Sequence, residues 1–398
     1  MGNKEIAIVG YGETPYSRGN ESRGEQKLTS FQYLAWAAEL ALKNASITKK
    51  DLDNQGLATV RMPSSPAFWG CEVAETLGIT PRLTLTTDHG GASAVNMLVQ
   101  AAHALNAGEV DFVLCLASGA PQTGEGGHPP LEGYRRDFLP PFGFMGPNSL
   151  FATVFRRHMT EYGTTTEDTG IVALAQRKNA NRNPGAYFYN QKMTMQDYIS
   201  AKMIADPLRM LDCVMPVNGG EAFIVTTKEN AKKFTDKPVY VKGYGTCDNY
   251  YGESKQTPDL TSMGMHVAAG RAYEKANLTA RNMDFVQPYD DYTIAVLMQF
   301  EELGFCEKGK SARFVEKNDI SYEGQLPTNT GGGQLSCGQP GLAGGLINLI
   351  EGVRQLRGEG DQRQVKGCKN GMITGLGVLQ YARHIGHYGA LILSSEEA

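Results

Sequence analysis

The chain has 398 residues, 41% of them hydrophobic and 20% charged, with a formal net charge of -4. That length and balance suit one large domain or two fused ones, and without a basic tract neither a nucleic acid nor an anionic membrane is implied as a partner. No run approaches the roughly 18 apolar residues of a transmembrane helix.

In chain order, Ile6-Ala7-Ile8-Val9 reads as a first buried strand, too short for a signal peptide. Phe31 to Ala45 places Leu34, Ala38, Leu42 and Ala45 on one helical face. Thr48-Lys49-Lys50-Asp51 then forms a capping box that opens another short helix. Ala92 to Ala107 is helical again and Gly108 ends it, after which Asp111 to Ala117 is a buried strand. The stretch from Pro121 to Pro216, rich in Gly, Pro, Tyr and Arg, is expected to be an insertion that shapes a substrate site. Gly389 to Leu393 closes the chain as a strand.

The grammar repeats. Ala45 to Asp53 returns with conservative changes as Ala276 to Asp284, each copy lying between a helix and an apolar strand. Each half also carries a glycine-rich turn ahead of a small-residue helix, Gly90-Gly91-Ala92-Ser93 and Gly338-Gln339-Pro340-Gly341. Two similar α/β halves in tandem follow. The expected division is 1–120 for the first part of the N-terminal half, 121–216 for the insertion, 217–250 to complete that half, and 251–398 for the C-terminal half. The seven cysteines, scattered from Cys71 to Cys368 without C-x-x-C spacing, suggest neither a zinc site nor a disulfide framework. A cytoplasmic protein with reduced thiols and no metal of its own is expected.

Asn329-Thr330-Gly331-Gly332-Gly333-Gln334-Leu335-Ser336-Cys337-Gly338-Gln339-Pro340, followed by Gln355-Leu356-Arg357-Gly358, resembles the C-terminal signature of thiolases, in the sterol-carrier-protein branch. Matches run the length of the chain, among them Ile8 to Pro15, Asn183 to Ala186, Ala205 to Arg209 and Gly324 to Thr330. The resemblance implies a thiolase fold of two repeated βαβαβαββ halves in five αβαβα layers, with a site between two buried helix N-termini. It also implies a coenzyme A thioester as substrate, a homodimer, and a small zinc-ribbon/OB-fold protein as partner.

The departures carry the chemistry. Where the family has its acyl-accepting cysteine, this chain has Gly91; where it has the Gly-His-Pro histidine, Gln339; where the branch has His-Asp-Cys-Phe, Tyr289-Asp290-Asp291-Tyr292. Gly371 to Gly377 lacks the branch's His-Asn as well. A glycine cannot form an acyl-enzyme, whereas retro-aldol cleavage of a 3-hydroxyacyl-CoA needs only a proton acceptor, a donor and an oxyanion hole. In this the chain resembles the steroid side-chain aldolases, which also lack the nucleophile. Tyr292 is the first candidate for proton transfer, with Tyr289, Asp290 and Asp291 beside it; capping of the helix after Tyr292 is the bland alternative for the two carboxylates. Cys337 is either a relocated nucleophile or a small buried residue, and His89 a general base or a structural histidine. Gly91, Ser93, Asn329, Gly338, Gln339 and Gly377 are the expected thioester-binding positions, Ser93 having no basic partner in the sequence. His128, His384 and His387 read as structural or surface residues. An atypical 3-ketoacyl-CoA thiolase or acyltransferase, and a catalytically silent CoA-binding subunit, are the competing readings.

Overall fold

The computed structural model describes residues 4–61, 65–124, 133–144, 146–250, 259–378 and 385–397. Nine of its strands make one mixed sheet: β1 (Ile6–Glu13), β2 (Gly56–Val60), β3 (Leu83–Thr87), β4 (Phe112–Gly119), β5 (Gly219–Thr227), β6 (Val239–Asp248), β7 (Phe285–Gln287), β8 (Asn370–Val378) and β9 (Ile385–Ser394). Their order is β3-β2-β4-β5-β1-β6-β9-β8-β7. On one side β3, β2 and β4 are parallel while β5 and β1 run antiparallel. The other side repeats this, with β7 parallel to β8, then β9 and β6 antiparallel. A single bridge from Val286 to Thr328 stands where the counterpart of β3 would be. The two halves meet where Ile6, Ala7 and Ile8 of β1 pair with Val241, Tyr240 and Val239 of β6.

Helices α1 (Ser30–Asn44), α2 (Trp69–Leu77), α3 (Ser93–Ala107), α4 (Pro147–Tyr162), α5 (Thr166–Ala180), α6 (Met265–Ala276), α7 (Thr293–Glu302) and α8 (Gly344–Leu356) clothe this sheet. The Thr29–Gln32 capping box opens α1, which packs on β1, β4 and β5; α6 packs in the same way on β6 and β9. The predicted box at Thr48 and Asp51 is present, and Thr279 with Asn282 repeats it in the second half. Between the halves lie α3 and α8. Each touches strands of both, so Val95, Leu98, Leu346 and Ile350 share one buried core with Phe223 and Leu391. The result is a mixed α/β arrangement with a large central sheet and a repeated strand pattern, as expected of a thiolase fold. One boundary differs from the expectation: β6 lies within 217–250, yet it pairs along its length with β9 and carries α6, so it opens the second half. An apolar strand in isolation does not reveal which sheet will bond it. The chain between β4 and β5 holds α4 and α5, which pack on α7.

Candidate active site

A cavity of about 280 Å3 opens where the N-terminal ends of α3 and α8 approach each other. Gly90, at φ +55, turns the chain from β3 towards α3, a conformation that a side-chain-bearing residue adopts only with strain. Gly91 follows at the cavity wall. A Cβ added to Gly91 would overlap the ring and hydroxyl of Tyr289. The phenol therefore stands where a side chain of residue 91 would stand.

Tyr289 is fixed from behind. Its amide donates to Thr374 Oγ1 at 2.9 Å, and its carbonyl accepts from Gln299 Nε2 at 2.7 Å. The hydroxyl lies 3.5 Å from Gln339 Nε2, at the outer limit of a hydrogen bond, and that amide also donates to Gln334 Oε1 at 3.1 Å. Burial, followed by the nearby Asp291 carboxyl, pushes the Tyr289 hydroxyl well above the ordinary phenol range, so it stays protonated.

The two carboxyls of the motif are separated by environment. Asp290 points away from the cavity into donors: Leu335 N at 3.2 Å, Asn348 Nδ2 at 3.2 Å and Gln334 Nε2 at 3.5 Å. Burial raises it, these donors pull it back, and it settles at about 7. Asp291 lines the cavity, and its Oδ1 is buried with no hydrogen-bond partner among the described residues. Burial and then the neighbouring Asp290 push Asp291 well above the usual carboxylate range. Tyr292 also lines the cavity; its hydroxyl donates to Asn148 Oδ1 at 2.6 Å and its ring stacks on Phe151 with centroids 4.2 Å apart.

Of the expected residues, then, Gly91, Tyr289, Asp291, Tyr292 and Gln339 meet at one cavity, and the others do not line it. Cys337 is buried against Tyr16, Ala186 and Val217, with Asn183 Nδ2 3.5 Å from its sulfur, and burial raises its thiol well above the usual range. Ser93 Oγ accepts the His89 amide at 3.1 Å, a backbone duty at the start of α3. His89 itself turns to His387, their ring centroids 4.5 Å apart. Gly338 lies at φ +133 against Val217, Asn329 Nδ2 donates to Pro288 O at 3.1 Å, and Gly377 backs onto His89. His128 and His384 lie outside the described residues. Asn148, Gln334 and Gln299 were missed. Gln334 stands within the C-terminal signature, but no local signal marks Asn148 beyond Gly146-Pro147 opening a helix.

The lining has a chemical bias. Among the described residues it contains carboxyl, phenol and amide groups and no cysteine, serine, threonine, lysine or histidine. It can accept and donate protons, and the two helix N-termini supply partial positive charge to an oxyanion formed between them.

Comparison with known proteins agrees with this architecture. The thiolase C-terminal domain-like family matches residues 248–387. A 17-hydroxy-3-oxo-4-pregnene-20-carboxyl-CoA lyase of Mycobacterium tuberculosis is 33% identical, over 94% of this chain and 97% of the relative. An acetyl-CoA acetyltransferase of Methanothermobacter thermautotrophicus is 31% identical, over 94% of this chain and 96% of the relative. Among solved structures, the Ltp2-ChsH2(DUF35) aldolase superposes with a TM-score of 0.85 at 29% identity, covering 98% of this chain and 97% of that one. The chain belongs to the thiolase superfamily.

Proposed function

We propose that this chain is an acyl-CoA carbon–carbon lyase that cleaves a 3-hydroxyacyl-CoA by retro-aldol chemistry. One observation carries the reading: the Tyr289 phenol fills the place of a nucleophile at residue 91. In this scheme the Asp291 carboxylate takes the proton from the 3-hydroxyl, and its raised pKa makes it a stronger base than an exposed aspartate. The C2–C3 bond breaks, its electrons pass to the thioester carbonyl, and the helix N-termini with the Gln339 amide hold the resulting enolate. Tyr289 protonates C2, then recovers a proton from Asp291, so both groups end as they began. Products are a carbonyl compound and a shortened acyl-CoA. The proton-transfer role expected first of Tyr292 falls here to Tyr289, because the Tyr292 hydroxyl is committed to Asn148.

The lyase and aldolase names of the relatives support this reading. The acetyltransferase relative keeps acyl transfer as the rival, which would require Cys337 or Ser93 to leave its buried post and reach the cavity. We further infer a cytoplasmic homodimer that works with a small zinc-ribbon/OB-fold protein; the name of the structural neighbour, which pairs two components, supports such a partner.

The test is a pair of variants assayed on a panel of 3-hydroxyacyl-CoA esters, with and without that partner. Tyr289→Phe should lower turnover about 10²–10⁴-fold, the usual contribution of an acid–base group, while Tyr292→Phe should lower it less than about tenfold. Near-normal turnover by a folded Tyr289→Phe protein would remove the assignment. An acyl adduct on Cys337 or Ser93 in the intact-protein mass spectrum would favour the transferase.

A further inference from the structure

We infer a second site, for a divalent first-row transition ion, at the junction of the β3–α3 turn with strands β6 and β9. Three residues far apart in the chain, His89, Asp248 and His387, bring one ligand atom each to within 4.8 Å of one another. The sheet explains two of them: Asp248 and His387 are direct partners in the β6–β9 register. The third arrives on the turn before α3, whose His89 carbonyl seats against Gly377, the β8 partner of His387.

The donor set is two imidazoles and one carboxylate, which suits Zn2+, Ni2+, Co2+ or Fe2+ and leaves positions open for water. Nε2 of His387 lies at the Asn96 side-chain amide and Nδ1 faces Asp248. With that amide turned to present Oδ1, Nε2–H donates to it and the Nδ1 lone pair is left for an ion. Nδ1 of His89 is buried and has no hydrogen-bond partner among the described residues. A buried ring nitrogen left bare is unfavourable, and an ion beside it removes that penalty. A neighbour that accepts the far N–H of a ligating histidine is the usual outer support of such sites, and Asn96 Oδ1 would fill that place. Asp248 is exposed, which gives the ion a way in.

The site is not the catalytic cavity, since none of the three lines it. His89 is, however, followed directly by Gly90 and Gly91, which do. An ion held here clamps the turn that presents Gly91 to strands of the other half. Its role is to position that turn, and it takes no part in the bond chemistry. This inference does not depend on the lyase reading.

The experiment uses the full chain, stripped with a chelator and titrated with Zn2+ by calorimetry and with Co2+ by absorbance. One ion per chain is expected, with proton release on binding. Binding should raise the melting temperature. His387→Gln and Asp248→Asn should each weaken the ion at least about tenfold, and Asn96→Ala about 10–100-fold, as for other outer supports of ligating histidines. Asp248→Asn alters an exposed side chain and keeps the test valid if His387→Gln fails to fold. His266→Gln, which removes the separate His266–Glu302 pair, should leave binding unchanged. Absence of binding would overturn the site and leave a His387–Asp248 hydrogen bond. Binding that survives both His387→Gln and Asp248→Asn would overturn it too.

Discussion

A Cβ at residue 91 has no room while Tyr289 keeps its pose, so the two positions are coupled. Gly91→Ala should destabilise the fold by about 1–3 kcal/mol through overpacking. Combining it with Tyr289→Ala should relieve the clash, giving a coupling of about 0.5–3 kcal/mol in urea denaturation; strictly additive losses would contradict the packing described. Asp291 supplies a pH signature. Its carboxyl is raised by burial and by Asp290, so the basic form grows only as pH climbs above the ordinary carboxylate range. Turnover should therefore rise with pH along a limb displaced upward, and Asp291→Asn should lose that limb. Stability follows the same shift with a definite sign: the contribution is full below the unfolded value of about 4 and fades as pH rises through the folded value. Asp291→Asn should flatten that decline. At this scale the sequence was informative where a departure sat inside a motif, as at Gly91, Gln339 and Tyr289-Asp290-Asp291-Tyr292. Which of two cavity tyrosines three residues apart stands at residue 91 is a matter of backbone direction, and Thr374 and Gln299 hold the Tyr289 backbone in that direction. The His89, Asp248 and His387 cluster was illegible for a related reason: sheet register, and no local spacing, brings it together.

Elements hold the cavity groups by backbone as much as by side chain. Residues 213–217 form a strap across the segments that carry Asp291 and Gln339. Val214 N donates to Asp291 O at 3.1 Å, Gln339 N donates to Met215 O at 2.7 Å, and Val217 N donates to Gln339 O at 3.1 Å. The strap is anchored by Asp212, a buried carboxylate that accepts from the Tyr198 hydroxyl, from Thr293 Oγ1 at the start of α7, and from Arg209 N at 2.8 Å. Asp212→Ala strips the acceptor from three donors and should cost on the order of 3 kcal/mol. It should also loosen the turn that carries Asp291 and Tyr292, so turnover should fall beyond what the remaining folded fraction explains; an unchanged specific activity would confine Asp212 to stability. Helices such as α1 and α3 were legible because their apolar period and end signals are strong. The strap was not, because a short extended segment bonded through its backbone leaves no periodic trace in side chains.

The whole molecule depends on how its two halves are joined, and among the described residues three pairs of β1 with β6 join them through the sheet. Much of the rest is the shared core around α3 and α8, with one buried ionic chain beside it. Arg354 of α8 reaches Glu13 of β1 at 2.8 Å and Glu351 at 2.7 Å, and Arg363 closes on Glu351 at 2.9 Å. Burial alone would raise Glu351, but Arg363 and then Arg354 hold it at about 2. Thr330, in the C-terminal signature, donates to the same carboxylate at 2.9 Å, so the motif that identified the family in sequence is also part of the joint. A buried ion pair contributes little net when complete but is costly when halved. Arg354→Ala leaves Glu351 and Glu13 short of a cation and should destabilise the protein by about 3–5 kcal/mol in denaturant titration. The sign with pH is opposite to that of Asp291: Glu351 is depressed, so its contribution is full above about 4.3 and is lost as pH falls towards 2. Wild-type stability should drop across that interval, and Glu351→Gln should start lower and drop less. If Arg354→Ala costs under about 1 kcal/mol, the ionic chain is dispensable and the joint rests on the α3–α8 core alone.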